Sequence, residues 1–166
     1  MTSTLVRTAT LMGAAMTMGL VTGAFVIFAH TIMPGLHKTD DRTFVAAFQQ
    51  IDRAIVNPWF MATAFVGALI FTLAAGIANR GTSALPWIAA AFGLYLVAFV
   101  VTIAINVPLN DAIKAAGDPN HIDVTQVRAQ FHETRWAIWN LLRVATTTSA
   151  FGLLTWALVL CGRASS

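Results

Sequence analysis

The residues best suited to chemistry lie where a membrane chain should have none. "RWAIWNLLR", Arg135 to Arg143, opens an apolar run that continues to Cys161. It carries Trp-x-x-Trp-Asn-x-x-Arg: Trp136, Trp139, Asn140 and Arg143. At 100° per residue, these four and His132 share a helical arc of about 100°. A polar stripe of that kind is costly against lipid and belongs inside a bundle. Arg143 stands about 12 Å along the helix from Arg135. A guanidinium and an amide at such depth, beside indoles, suit an apolar slot with donors aimed at a developing oxyanion. Phe131, Trp136 and Trp139 could wall the slot. Arg143 with Asn106 or Asn140 could hold the oxyanion, and His132, Glu133 or His30 could act as base. Asn57, Asn110 and His30 are expected on the substrate's side of the same cluster.

Positioning these residues takes a membrane scaffold. The 166 residues are 57% hydrophobic and 10% charged, against roughly 25% charged in soluble domains. Four stretches are long enough to cross a bilayer, about 20 residues each: roughly 9–33, 58–78, 85–107 and 136–160. The first exceeds the apolar core of a signal peptide and is read as a retained span. A single domain over 1–166 is expected, all-α, a four-helix integral membrane bundle. In the first long connection, Phe44, Phe48, Ile51 and Ile55 recur at helical spacing after Asp40 and Asp41. They predict an amphipathic helix in the membrane interface, with Arg42, Asp52 and Arg53 turned to water or headgroups. Asn57-Pro58 reads as a cap and first turn. Asn106-Val-Pro-Leu-Asn110 reads as a helix terminator at Pro108. Gly117 to Asn120 is a turn, followed by a polar helical extension from Asp123 to Glu133. Trp59, Trp87, Trp136 and Trp156 fit an interfacial belt, and Gly19 and Gly23 a helix-packing pair.

Up-down-up-down order brings His30, Asn57, Asn106, Asn110 and the start of the fourth span to one membrane face. All seven acids lie on that side, whereas Arg7, Arg80 and Arg163 lie on the other. Net charge therefore favours cytoplasmic termini, in the plasma membrane of a bacterium. A strict count of Lys and Arg opposes this, because the long connections hold more of them. The net charge of +3 comes without a basic cluster, so no nucleic-acid partner is expected. The partners expected are the bilayer and a small apolar aromatic substrate, with oligomerisation left open. No flavin, haem or nucleotide motif is present. His30, His37, His121, His132 and Glu133 offer metal-ligating atoms without H-x-x-x-H or H-x-x-E-H spacing. No cofactor is predicted, and a metal is the lesser alternative.

"MPGL" (Met33 to Leu36), "DDRTF" (Asp40 to Phe44), "NPWF" (Asn57 to Phe60), "NVPLND" (Asn106 to Asp111) and "RWAIWNLLR" occur in one order. In this the chain resembles the anthrone oxygenase-like family of small four-helix membrane proteins, long catalogued as a domain of unknown function. The resemblance spans nearly the whole chain. It implies a four-helix transmembrane fold and, for some members, oxidation of an anthrone to an anthraquinone with dioxygen. It assigns no metal role to His30 or His132. Two other classes use the same residues: a non-catalytic lipid- or quinone-binding protein, and a structural membrane subunit whose polar cluster only fixes helix packing.

Overall fold

The structure, a computed structural model, describes residues 4–163. It is helical throughout, and its long helices form a membrane bundle. Helices α1 (Thr4–His37), α3 (Pro58–Ala78), α4 (Leu85–Ala115) and α5 (Val124–Arg163) are each long and apolar enough to cross a bilayer. Helix α2 (Asp41–Ile55) lies between α1 and α3 in sequence. α1 packs on α3 and α5, and α5 packs on α4. The outer faces carry Met16, Leu20, Ile70, Leu73, Val100 and Leu141, all exposed, as a lipid-facing surface requires.

The end closed by the short α3–α4 hairpin is packed through small residues. Ala14, Ala68, Ala75, Ala91, Ala150 and Ala157 are fully buried there among Leu11, Ile88 and Leu154. Small side chains let helices approach closely, the main source of association when lipid is as apolar as the protein. Of the Gly19–Gly23 pair only Gly19 serves this purpose. A Cβ on Gly19 would stand 3.2 Å from the Phe151 ring, whereas Gly23 faces open space.

At the opposite end, three of the long helices widen into π turns: Phe28–Ile32 in α1, Met61–Phe65 in α3 and Thr102–Asn106 in α4. Pro34 and Pro108 each follow such a turn by two residues. A proline inside a helix lacks an N–H and crowds the preceding turn, and the widened turn absorbs that misfit. The chain at Asn106–Asn110 therefore does not terminate, contrary to the sequence expectation. The Val107 N–H donates to Thr102 O and α4 runs on to Ala115.

Helix α2 starts as expected, with Asp40 Oδ1 accepting from the Thr43 N–H at 3.0 Å. Its apolar face is turned into protein. It roofs the bundle, burying Phe44 and Phe48 against Phe131, Ile113 and Trp136. Gln49 Nε2 donates to Ile113 O and Gly117 O, tying the roof to the end of α4. Asp52, expected in water, is only 4% exposed. It falls four residues after Phe48, on the same face as Phe44 and Phe48.

Candidate functional site

Arg143 sits on α5 below the roof, 5% exposed. Nη2 donates to Asn140 Oδ1 at 2.7 Å and Nη1 to Thr102 Oγ1 at 3.2 Å. Its guanidinium carbon lies 4.3 Å from the Phe25 ring centre and 5.5 Å from that of Trp136. Among the described residues no carboxylate forms an ion pair with it, and Nε is buried without a hydrogen-bond partner. A buried charge is costly unless paired. Ring faces recover part of that cost, and a guanidinium, weakly hydrated, tolerates burial better than an ammonium. Asn140 is fixed by its neighbours: its Nδ2 donates to Phe25 O at 3.1 Å, while the guanidinium can only donate to its oxygen.

Arg143 forms part of the wall of a cavity of about 420 Å³, within the roughly 300–1,000 Å³ usual for small-molecule sites. Phe25 and Phe28 come from α1, and Phe60, Met61, Phe65 and Val66 from α3. Phe99, Thr102, Ile103 and Val107 come from α4, and Trp136 from α5. The π turns supply Phe28, Met61, Phe65, Thr102 and Ile103, so the widened helices shape the space, a frequent role of such turns. The Phe65 and Phe99 rings stack at 4.9 Å where α3 meets α4. Val66, Ile103 and Val107 on the wall are also exposed on the outer surface, so the cavity lies close to the lipid-facing side. On the hairpin side, a hollow beside Arg7, Asn79 and Cys161 has only about 50 Å³.

The roof edge of the cavity is polar and connected. Trp136 Nε1 donates to Asn110 Oδ1 at 2.7 Å, and Asn110 Nδ2 donates to Asp52 Oδ1 at 2.6 Å. Lys114 Nζ pairs with Asp52 Oδ2 at 2.7 Å and with Asp111 Oδ1 at 3.0 Å. One indole thus spans from the buried arginine to this chain.

The structure brings together five of the residues singled out in the sequence. Trp136 and Arg143 wall the cavity and Asn110 stands at its roof edge, while Asn140 supports Arg143 from behind. Asn106 is buried next to them, with Nδ2 donating to Trp136 O at 3.3 Å and Oδ1 left without a partner. Five others lie elsewhere. His132 is exposed in a left-handed conformation (φ 52°) that breaks α5 after Phe131. A helical wheel cannot be carried through such a residue, so His132 does not share the arc of Trp136, Asn140 and Arg143. Trp139 is half-buried in a shallow outer depression with His132 and Arg135. Phe131 is buried, but its ring packs on Phe48 at 4.6 Å under the roof. Asn57 caps α3, its Oδ1 accepting from the Phe60 N–H. His30 is exposed on the α1 π turn. Glu133, the third base considered, pairs with His37 and Arg128 on the surface. Among the described residues no three His, Cys, Asp or Glu side chains come together. The residues that sequence reasoning missed are Asp52, Lys114, Thr102 and Phe25. Only Asp52 left a signal, in its spacing from Phe44 and Phe48.

Fold and site define an integral membrane helical bundle enclosing an apolar cavity with a buried cation in its wall. Residues 48–153 match the model of the anthrone oxygenase family, and the chain belongs to that family. The match includes Asp52, Asn106, Asn110, Trp136, Asn140 and Arg143. No curated protein and no solved structure matches the chain. Membership supports an oxygenase-like function at the level of the family.

Proposed function

We propose that the protein is a membrane oxygenase-like enzyme that uses dioxygen to oxidise a flat, apolar, enolisable aromatic compound of the anthrone class. The observation that carries this reading is Arg143, a buried cation in the wall of an apolar cavity, with no carboxylate partner among the described residues. An anthrone that loses a methylene proton becomes a fully aromatic oxyanion, with the new charge spread onto its carbonyl oxygen. A guanidinium already held by Asn140 and Thr102 meets that charge without reorganising. The electron-rich carbon can then react with dioxygen, so that anthrone and dioxygen give anthraquinone and water. The walls of Phe25, Phe65, Phe99 and Trp136 suit a planar ring system. The reading invokes no cofactor.

Oxygen uptake with anthrone in one detergent, corrected for autoxidation, tests it. Arg143→Met should lower turnover by roughly 100-fold or more, the scale of losing one preorganised donor. The fold should survive, since methionine suits a membrane interior. Lysine, lacking the planar fork, should restore only part of the rate. Equal rates for wild type, variant and empty detergent would remove the oxygenase reading. Binding without turnover would leave a quinone or lipid carrier.

The same proposal places the termini in the cytoplasm and the roof at the outer leaflet of a bacterial plasma membrane, so that substrate enters from that leaflet. In its support, Lys114 and Arg128 on the roof side are ion-paired with Asp52, Asp111, Asp41 and Glu133. Cys161 should resist an impermeant thiol reagent in intact cells, while a cysteine introduced at Asp118 should label. The reverse pattern would invert this topology.

A further inference from the structure

We infer that Asp52 is the proton acceptor of the cavity, the group that takes the methylene proton of a bound anthrone; this rests on the substrate reading above. The histidines and Glu133 do not line the cavity, whereas two aspartates do, Asp52 and Asp111. Their settings differ sharply. The Asp111 side chain is 61% exposed and that of Asp52 only 6%. A base shielded from bulk water, facing an apolar substrate, is the more effective of the two.

The local bonding fits the role. Lys114 Nζ lies against one Asp52 oxygen at 2.7 Å, and Asn110 fixes the other. A carboxylate has about four acceptor sites. Oδ2 is enclosed beside Lys114, and Oδ1, which accepts from Asn110, keeps a lone pair for a substrate proton. Asn110 also accepts from Trp136 Nε1, and the Trp136 ring lies against the Arg143 guanidinium. Base and oxyanion donor are therefore registered on one indole. Lys114, whose side chain is 23% exposed, and the exposed Asp111 connect Asp52 to solvent.

The step balances without a further reactant. The methylene C–H bond breaks, its proton goes to an Asp52 oxygen, and the electron pair delocalises toward the oxygen facing Arg143. Dioxygen accepts the electrons and forms a C–O bond, giving a peroxide anion. Asp52 returns its proton to that peroxide. Loss of water, using the remaining methylene proton, leaves the second carbonyl. The organic carbon is oxidised, and dioxygen is reduced to one carbonyl oxygen and one water.

Proton abstraction can be read apart from oxidation by anaerobic exchange of the anthrone methylene hydrogens in deuterium oxide, set against oxygen uptake by the same preparations. Wild type should accelerate exchange over the detergent blank. Asp52→Asn should lose about 100-fold or more of that acceleration, the low end of the usual contribution of a positioned base. It should still bind a hydroxyanthraquinone phenolate, at least as tightly as wild type, because Arg143 is untouched and a neighbouring negative charge is gone. Asp52→Glu should recover part of the exchange. If Asp52→Asn, which leaves Lys114 only the exposed Asp111 as a partner, fails to fold, Asp52→Asn with Lys114→Met removes both charges and carries the same test. Exchange at the wild-type rate in a folded Asp52→Asn protein would overturn the assignment. So would phenolate binding lost in step with exchange, which would make Asp52 structural. Wild type that consumes oxygen yet exchanges no faster than detergent would also overturn it, leaving the oxygenase reading intact. Wild type that consumes no oxygen above the blank would instead fail that reading, and this inference with it.

Discussion

The two ends of the bundle are built from the same long helices and solve opposite problems. Toward the hairpin, alanines at 0% exposure (Ala14, Ala68, Ala75, Ala91, Ala150, Ala157) close the helices onto one another. Toward the roof, phenylalanines and Trp136 take over, three helices widen into π turns, and about 420 Å³ stays open. Buried polar groups differ in how they are held. At the hairpin end, Asn79 Nδ2 and the Thr17 hydroxyl donate to carbonyls of their own helices, while Asn79 Oδ1 and Thr72 Oγ1 are buried without partners. At the roof end Arg143 draws Asn140 and Thr102 from two helices and still has an unpartnered Nε. Small residues thus make a closely packed stem. Large aromatic residues, which cannot pack as closely, prop open a chamber above it.

Equal insults should have unequal consequences at the two ends. The largest effect is expected in the chamber. Met61→Trp adds bulk where there is space and should weaken binding of a hydroxyanthraquinone by about tenfold or more, a loss of at least roughly 1.4 kcal/mol. The thermal unfolding temperature should stay level or rise. Ala91→Leu adds bulk where there is none. It should destabilise by about 1–3 kcal/mol, read as a lower unfolding temperature in detergent, with only a small change in ligand affinity. If Met61→Trp destabilises as much as Ala91→Leu, the chamber is packed more tightly than its volume implies and the contrast fails.

Much of this division could be read from the sequence. Hydropathy locates the spans, the acids Asp40 and Asp41 and the cap at Asn57 mark two helix starts, and the polar residues of the second half point to one end. Asn106, Asn110, Trp136, Asn140 and Arg143 do gather there, because consecutive spans alternate in direction and leave little choice of end. The misreadings have separate physical causes. Asp52 reads as water-facing when α2 is a helix on the membrane surface, and nothing local distinguishes a face that meets headgroups from one that meets a bundle. Periodicity places His132 in the arc of Trp136, Asn140 and Arg143, because it cannot foresee a left-handed residue at 132. Thr102 and Phe25 matter only through a tertiary partner, the guanidinium, and carry no local pattern. The π turns had a faint signature in Pro34 and Pro108, each set in a helix that had to continue.

We propose that Arg143, which has no carboxylate partner among the described residues, is held charged to meet an oxyanion. The most direct test of this claim is the ionisation of a bound hydroxyanthraquinone, whose phenol and phenolate differ in colour. Titrated in detergent with wild type and with Arg143→Met, the bound dye should ionise at least about one pH unit lower in wild type than free in detergent, which corresponds to about 1.4 kcal/mol of preference for the anion. In Arg143→Met the shift should vanish or reverse, since an apolar cavity without the cation disfavours the charged form. The same ionisation in both proteins, with the dye bound to each, would contradict the account.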